Sequence, residues 1–484
     1  MRSYLYFITL SATLGGLLFG YDTAVISGTV ESLQSFFIDP FNLSETAANS
    51  RLGLIVSAAL IGCIIGGVSG GWLSTTIGRR KGLLIAALLF MISALGSAMP
   101  EIFIRPIGEG DHTFIWHFVM YRVIGGIGVG LASMMAPMYI AEIAPAGDRG
   151  KLVSLNQFAI ILGILVVYFV NYGIARQGED VWLHQTGWRW MFASESVPAI
   201  IFLLMVLFIP DTPRFLALKG QEDKAFRVLC RINGENQAQH ILTDIKKSFT
   251  ASHHSGKLFS YGALVIVIGL AIAVFQQMVG INVILYYAPV IFKDMGAETD
   301  ASLLSTIYIG VVNLIFTVFA ILLVDRIGRK PLLIGGAIIM AIAMLAVGFI
   351  FFFGLTQSQI QGEIVSQFTS SGTAIAAFVF ILVFIAGFAV SWGPVAWVLL
   401  SEIFPNKIRG QAMALATATL WISNWLISWS FPILNNNSVL VEQFNHGFAY
   451  WIYGLIGVLA AIFVSKFVPE TGKKSLEELE SLWS

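Results

Sequence analysis

Three ionisable residues stand deep inside otherwise apolar runs of the sequence: Asp22, Arg122 and Glu195. A charge at the centre of a bilayer costs about 2.5–3.5 kcal/mol even on a lenient scale, so it normally has a partner or a task. Burial disfavours a charged carboxylate and a neighbouring guanidinium favours it. Moving Arg122 away from Asp22 would therefore let that carboxyl take up a proton, and moving it back would expel the proton. We expect Asp22 to bind a coupling proton, Arg122 to tune it and Glu195 to compete for Arg122. The competing reading is a static salt-bridge staple, since buried ion pairs are ambiguous.

A second set is polar without charge. Gln157, Gln276, Gln277, Asn282 and Asn313 are interleaved with Phe19, Tyr286, Tyr287, Trp392, Trp397 and Trp421. Amides that donate and accept suit a neutral, polyhydroxylated ligand, and aromatic faces suit its C–H surfaces. An anion would call for cations, and Arg122 is the only basic residue at depth. On an unbroken helix Gln276 and Asn282 would point about 120° apart. Gly280 between them allows a break that turns both inward. For any one amide, a bond to a neighbouring helix is the alternative.

The elements that must position these residues follow from composition. The chain has 484 residues, 28 basic and 28 acidic, with 57% hydrophobic and 12% charged. Soluble globular chains carry about 25% charged residues, so a soluble enzyme is excluded, and so is a disordered chain. Zero net charge argues against nucleic acid as a partner. Cys63 and Cys230 are too few for a disulfide framework or a thiolate metal site, and no metal or cofactor is expected. No H-E-x-x-H or nucleophile–base pair lies in any span, so the protein is not expected to be an enzyme.

A bilayer core of about 30 Å takes about 20 apolar residues in a helix. Twelve stretches qualify, near 5–30, 52–74, 82–100, 114–138, 151–175, 188–209, 259–291, 302–324, 331–354, 374–400, 408–434 and 446–468. The fold expected is all-α: twelve transmembrane helices in two pseudo-symmetric six-helix bundles with a cytoplasmic helical linker. Asp22, Arg122 and Glu195 then share one depth, about 10–12 Å below the outer surface. Arg189, between Trp188 and Trp190, reads as interfacial. The run Gly125–Gly130 reads as close helix packing rather than a phosphate loop.

Basic residues orient the chain. With the N-terminus inside, 22 Lys and Arg fall in inner loops and four (Arg51, Arg105, Arg176 and Lys293) outside. This asymmetry places both termini in the cytoplasm of a multi-pass protein of a plasma membrane.

The loops repeat. Gly78-Arg79-Arg80-Lys81 matches Gly328-Arg329-Lys330, and Glu142 with Pro145, Arg149 and Gly150 matches Glu402 with Pro405, Arg409 and Gly410. Pro210-Asp211-Thr212 matches Pro469-Glu470-Thr471. Offsets near 250–260 residues mean two halves in parallel, with a substrate site between them near the midplane. The units expected are 1–210, a linker 211–257, 258–468 and a tail 469–484. Lys219, Glu222, Asp223, Lys224 and Arg227 are spaced for an amphipathic linker helix; His253 and His254 read as solvated loop. Arg79, Arg80, Glu142, Arg149, Asp325, Arg329, Glu402 and Arg409 are expected to lock helix ends on the cytoplasmic side. That lock would have to break on inward opening.

These motifs resemble the sugar porter family of the major facilitator superfamily over the whole chain. The resemblance rests on residues 20–28, on Gly78-Arg79-Arg80 and Asp325–Lys330, and on Pro210–Arg214, Phe275–Asn282, Trp392–Trp397 and Pro469-Glu470-Thr471. It is stronger to bacterial D-xylose–proton symporters than to facilitative glucose transporters. By that resemblance Gln157, Gln276, Gln277, Asn282, Asn313, Tyr287 and Trp397 match sugar-contacting positions, and Asp22 matches the symporters' proton site. It implies import of a neutral monosaccharide with a proton, D-xylose first and D-glucose second, by a chain working as a monomer. The alternatives are a facilitative uniporter or a membrane sugar sensor. Three residues depart from the pattern: Thr75 replaces an aspartate, Leu420 a glutamine or asparagine, and Ile164 a glutamine.

Overall fold

The computed structural model describes residues 2–145, 148–251, 258–294, 296–360, 363–405 and 408–472, apart from the side chains of 248–251, 294, 325 and 357–366. His253, His254 and the tail from 473 lie outside the described residues. Among those described, eleven helices are long and apolar enough to cross a membrane. The remaining span, Arg409–Asn435, is as long but carries Thr417, Thr419, Ser423, Asn424, Ser428 and Ser430, which lower its hydropathy. Twelve spans result.

Packing repeats between the halves. Span two (Glu45–Thr76) packs on span eleven, and span five (Arg149–Ala175) packs on span eight (Thr299–Ile327). Under a six-span repeat these are one pair of elements used twice. Span four (Ile115–Ile143) carries the glycine run against span two: a Cβ on Gly126 would lie 1.8 Å from the Ala59 carbonyl oxygen. Small residues thus let the two backbones touch.

Several spans are broken. Span seven runs Ala263–Met278, turns at Gly280 with φ +91°, and resumes as Ile281–Asp294. The turn comes where the sequence places it, and its positive φ is easily met only by glycine. Span ten breaks at Ser391 between Ser371–Val390 and Trp392–Ile403. Span six is interrupted at Glu195, between Trp188–Ser194 and Ser196–Phe208. Pro198 removes a donor there. Span one (Arg2–Val25) ends earlier than the sequence suggests, in a short turn Ile26–Gly28 followed by a helix Val30–Phe37.

Two prolines inside helices leave a carbonyl without its helical donor, and in each case a tyrosine replaces it. Pro289 frees the Leu285 carbonyl, which accepts from the Tyr168 hydroxyl at 2.8 Å. Pro432 frees that of Ser428, which accepts from the Tyr287 hydroxyl at 2.9 Å.

The linker forms helices Pro213–Leu218, Glu222–Asn233 and Glu235–Ala251. Glu222–Asn233 buries Ala225, Val228, Leu229 and Ile232, one face at helical spacing, as its charge pattern implies. One element is not anticipated: a short antiparallel hairpin, Leu355–Ile360 with Glu363–Phe368, between spans nine and ten.

Candidate functional site

The three charges meet in the N-terminal half. Asp22 and Glu195 are fully buried and Arg122 is 1% exposed. Arg122 donates to Asp22 Oδ1 at 2.6 Å and to the Asp22 backbone oxygen at 3.0 Å, and lies 5.3 Å from the Phe192 ring centre. Glu195 is within electrostatic reach of both. The Glu195 and Asp22 carboxyls adjoin each other; apart from that approach, Asp22 Oδ2 and both Glu195 carboxyl oxygens have no hydrogen-bond partner among the described residues. The Tyr21 hydroxyl hydrogen-bonds Ser194, beside Glu195, at 2.8 Å.

A cavity of about 920 Å³ adjoins this cluster through Phe19, Thr23 and Ala24 of span one. Gln157, Gln276, Gln277, Asn282, Asn313, Tyr286, Trp397 and Trp421 all line it. Phe19 and Trp421 form one aromatic wall, their rings 5.6 Å apart. The amides are linked: Asn282 donates to Gln277 Oε1 at 2.5 Å, and Gln276 donates to the Trp392 and Gly393 carbonyls at 2.9 and 3.2 Å. Gln276 thus ties the break in span seven to the break in span ten. Two expected aromatics do not reach the cavity. Tyr287 is turned away to cap the Ser428 carbonyl and packs on Phe431 at 4.9 Å. Trp392 is fully buried, its indole donating to the Leu333 carbonyl at 2.9 Å. Asn156, Asn424, Thr23 and Thr317 line the cavity although the sequence reading omitted them. Asn424, a polar neighbour of Tyr286 that accepts from the Ser428 hydroxyl at 3.1 Å, carries the same signal as Asn313: an amide inside a span. Ile164 and Leu420 line it as well.

The cavity extends to Gly150, Lys151 and Arg329, so it opens on the arginine-rich face. On that face the repeated loops build the same device twice. Arg79 pairs with Glu142 at 2.7 Å and Thr212 donates to Glu142 at 2.6 Å. Arg329 pairs with Glu402 at 2.9 Å and Thr471 donates to Glu402 at 2.6 Å. The N–H groups of Arg79 and Arg80 reach Asp211 at 3.2 and 3.4 Å, those of Arg329 and Lys330 reach Glu470 at 3.0 Å. Burial pushes the Asp211 carboxyl above the ordinary carboxylate range, against the pull of those N–H donors. Arg80 also caps the Val206 and Leu207 carbonyls, and Arg409 that of Phe404. Arg149 is exposed, and the Asp325 side chain lies outside those described. Thr75 bonds only within its own helix, to Trp72, among the contacts seen.

Both ion pairs are intact although the cavity opens on their side. In this conformation they hold neighbouring helix ends together within each half, and they are unbroken where the sequence reading expects the lock to part on inward opening. The opposite face is where the halves meet. There Glu31 pairs with Lys293 at 2.5 Å, Asn436 donates to Asn49 at 3.2 Å, and Thr299 donates to Asp180 at 3.1 Å. Deeper in, the Tyr168 hydroxyl on Leu285 is another such contact. Arg189, expected at a water boundary, is instead 9% exposed: it pairs with Glu101 at 2.8 Å and caps the Ala98 carbonyl.

Known proteins of the same shape exist. The sugar (and other) transporter family matches residues 8–483. The D-xylose-proton symporter of Escherichia coli (strain K12) is 55% identical, over 99% of this chain and 96% of its own length. The glucose facilitated diffusion protein of Zymomonas mobilis is 40% identical, over 98% of this chain and 97% of its own length. A solved inward open conformation of the xylose transporter XylE from E. coli superposes with a TM-score of 0.87 at 52% identity, covering 99% of this chain and all of the other. With two six-span halves, a cavity between them and a matching sequence from end to end, this chain belongs to the sugar transporter family.

Proposed function

We propose that this chain imports a neutral monosaccharide together with a proton by alternating access, with D-xylose the first choice and D-glucose the second. It is a transporter and not an enzyme. The observation that carries proton coupling is the buried cluster of two carboxylates and one guanidinium beside an amide-lined cavity. Two carboxylates against one cation leave one negative charge unmatched in a low-dielectric site, where unpaired charge is costly. A proton on Asp22 neutralises that carboxyl and frees Arg122 to turn to Glu195. Reloading of Asp22 by Arg122 expels the proton. The sugar is held by Gln157, Gln276, Gln277, Asn282 and Asn313, against Trp397 with Tyr286, Phe19 and Trp421.

The distribution of basic loops supports placing the arginine-rich face in the cytoplasm of a bacterial inner membrane, with both termini there. The cavity then faces inward. The units are 1–210, the linker 211–257, 258–468 and the tail 469–484, and the halves rock around the cavity. One chain encloses the whole site, which favours a functional monomer in the lipid bilayer, with no nucleic-acid partner. The helix ends carrying Arg79, Arg80, Glu142, Arg149, Asp325, Arg329, Glu402 and Arg409, tied by the Arg79–Glu142 and Arg329–Glu402 pairs, move as rigid ends of each half. A facilitative uniporter is the second reading, favoured by the similarity to a protein of facilitated diffusion.

Purified protein in liposomes with an imposed pH gradient separates the two. Coupled transport predicts accumulation of D-xylose above its outside concentration, abolished in Asp22→Asn. Uptake that only equilibrates in the native chain supports the uniporter.

A further inference from the structure

Most span hydroxyls are spent locally. Ser11, Ser27, Ser74 and Ser133 each donate to a carbonyl of the preceding turn, the usual fate of serine inside a helix. Ser93 of span three (Arg79–Ala98) does not. It is fully buried and, like Thr9, Ser57, Ser97 and Ser302, its hydroxyl oxygen has no hydrogen-bond partner among the described residues; of the five, Ser93 is the one that meets Asp22 around a shared glycine. A buried hydroxyl left unmade costs free energy, which points to a partner in another state of the molecule.

The geometry around Gly125 names that partner. A Cβ on Gly125 would lie 2.3 Å from Ser93 Oγ and 3.2 Å from Asp22 Oδ1. The hydroxyl and the carboxyl therefore crowd the same face of residue 125, where a methyl would collide with the hydroxyl, and the glycine lets the two come close. Oδ1 is the oxygen now held by Arg122 at 2.6 Å. When Asp22 is ionised, Arg122 is the stronger partner, because a charge-assisted bond exceeds a neutral one. When Asp22 carries a proton, that advantage is gone and the carboxylic O–H needs an acceptor.

We infer that Ser93 is the alternative partner of Asp22 in the proton-loaded state. The acid O–H donates to Ser93 Oγ over the bare Cα of Gly125, while Arg122 turns away. Proton binding converts carboxylate to carboxylic acid, and its loss on return to Arg122 restores the carboxylate. Ser93 thus stabilises the neutral form and raises the proton affinity of the loaded carrier. The charged and titratable groups facing Asp22 are Arg122 from span four, Glu195 at the break in span six, Cys63 from span two and Tyr286 from span seven. Span three contributes only the uncharged Ser93 at this point.

This inference rests on proton coupling through Asp22, and one assay separates the two. Initial D-xylose uptake into liposomes is measured across external pH for the native chain, Asp22→Asn, Ser93→Ala and Ser93→Cys. Losing one hydrogen bond to the neutral acid moves the midpoint of Ser93→Ala toward acid by about 0.5–1 pH unit. Ser93→Cys, with a weaker partner, moves it less, and it carries the same test where the alanine variant fails to fold. A Ser93 variant that lowers the maximal rate with its midpoint in place overturns the inference, leaving Ser93 a packing residue. Concentrative uptake by Asp22→Asn overturns the underlying reading as well.

Discussion

The two halves share one plan on the arginine-rich face and diverge at the midplane. Arg79–Glu142–Thr212 and Arg329–Glu402–Thr471 are triads built from the same contacts, each accompanied by an acid that caps two backbone N–H groups. At depth, the N-terminal half has charge, in Asp22, Arg122 and Glu195. The C-terminal half has amides, in Gln276, Gln277, Asn282 and Asn313, and two helices broken within the span. Divergence where the substrates sit, with sameness where helix ends are tied, teaches that the ties serve the moving bodies and the midplane serves the cargo. On the proposed reading the charges of coupling sit in the N-terminal half and most of the cavity's amides in the C-terminal half, with Gln157 and Phe19 among the N-terminal half's share of the lining.

The largest expected effect tests that division. Asp22→Asn loses concentrative uptake entirely but still binds D-xylose, measured by calorimetry on the purified protein. Gln276→Ala does the reverse: its affinity falls about fivefold to a hundredfold, since a buried polar ligand group left unpaired costs about 1–3 kcal/mol, while accumulation at saturating sugar persists. Equal loss of binding in both variants would break the comparison.

Next come the repeated triads. Glu142→Gln and Glu402→Gln each take a carboxylate from a largely buried arginine, and each lowers thermal stability by about 1–3 kcal/mol. Because the geometry matches, the two losses should agree within a factor of two in melting experiments in detergent. A large loss in one alone would show that the halves are not held in the same way.

The smallest effect separates adjacent tyrosines. Tyr287→Phe removes the cap on the proline-freed Ser428 carbonyl, costing about 1 kcal/mol of stability with sugar affinity unchanged. Tyr286→Phe lowers affinity about twofold to fivefold through the loss of its hydroxyl beside Asn424. Reversed results would return Tyr287 to the cavity.

That pair also marks how far the sequence could be read. The charges were legible because each is an exception in an apolar run, and counting from the span ends placed all three at one depth. The break at Gly280 was legible from two amides that no straight helix could aim together. What lay beyond reach was helical phase after the break: a turn at φ +91° resets which of two neighbouring tyrosines faces inward. The proline–tyrosine caps join residues more than a hundred positions apart, with no local pattern to announce them. The partner of Arg189 was out of reach for the same reason, because Glu101 sits in a loop where no periodicity operates. Asn424 could have been found, since the criterion that selected Asn313 applies equally to it.

The seam opposite the open cavity has a consequence for speed. It is stitched by isolated bonds, Glu31 to Lys293, Asn49 to Asn436, Asp180 to Thr299 and Tyr168 to Leu285. Exposed pairs of this kind are worth about 0–1 kcal/mol, and a neutral hydrogen bond about 1 kcal/mol. No single stitch can pin the molecule shut, and those at the surface can trade their partners for water as they part. The barrier to re-exposing the site is thereby divided into small steps, so thermal motion can unzip the seam one contact at a time.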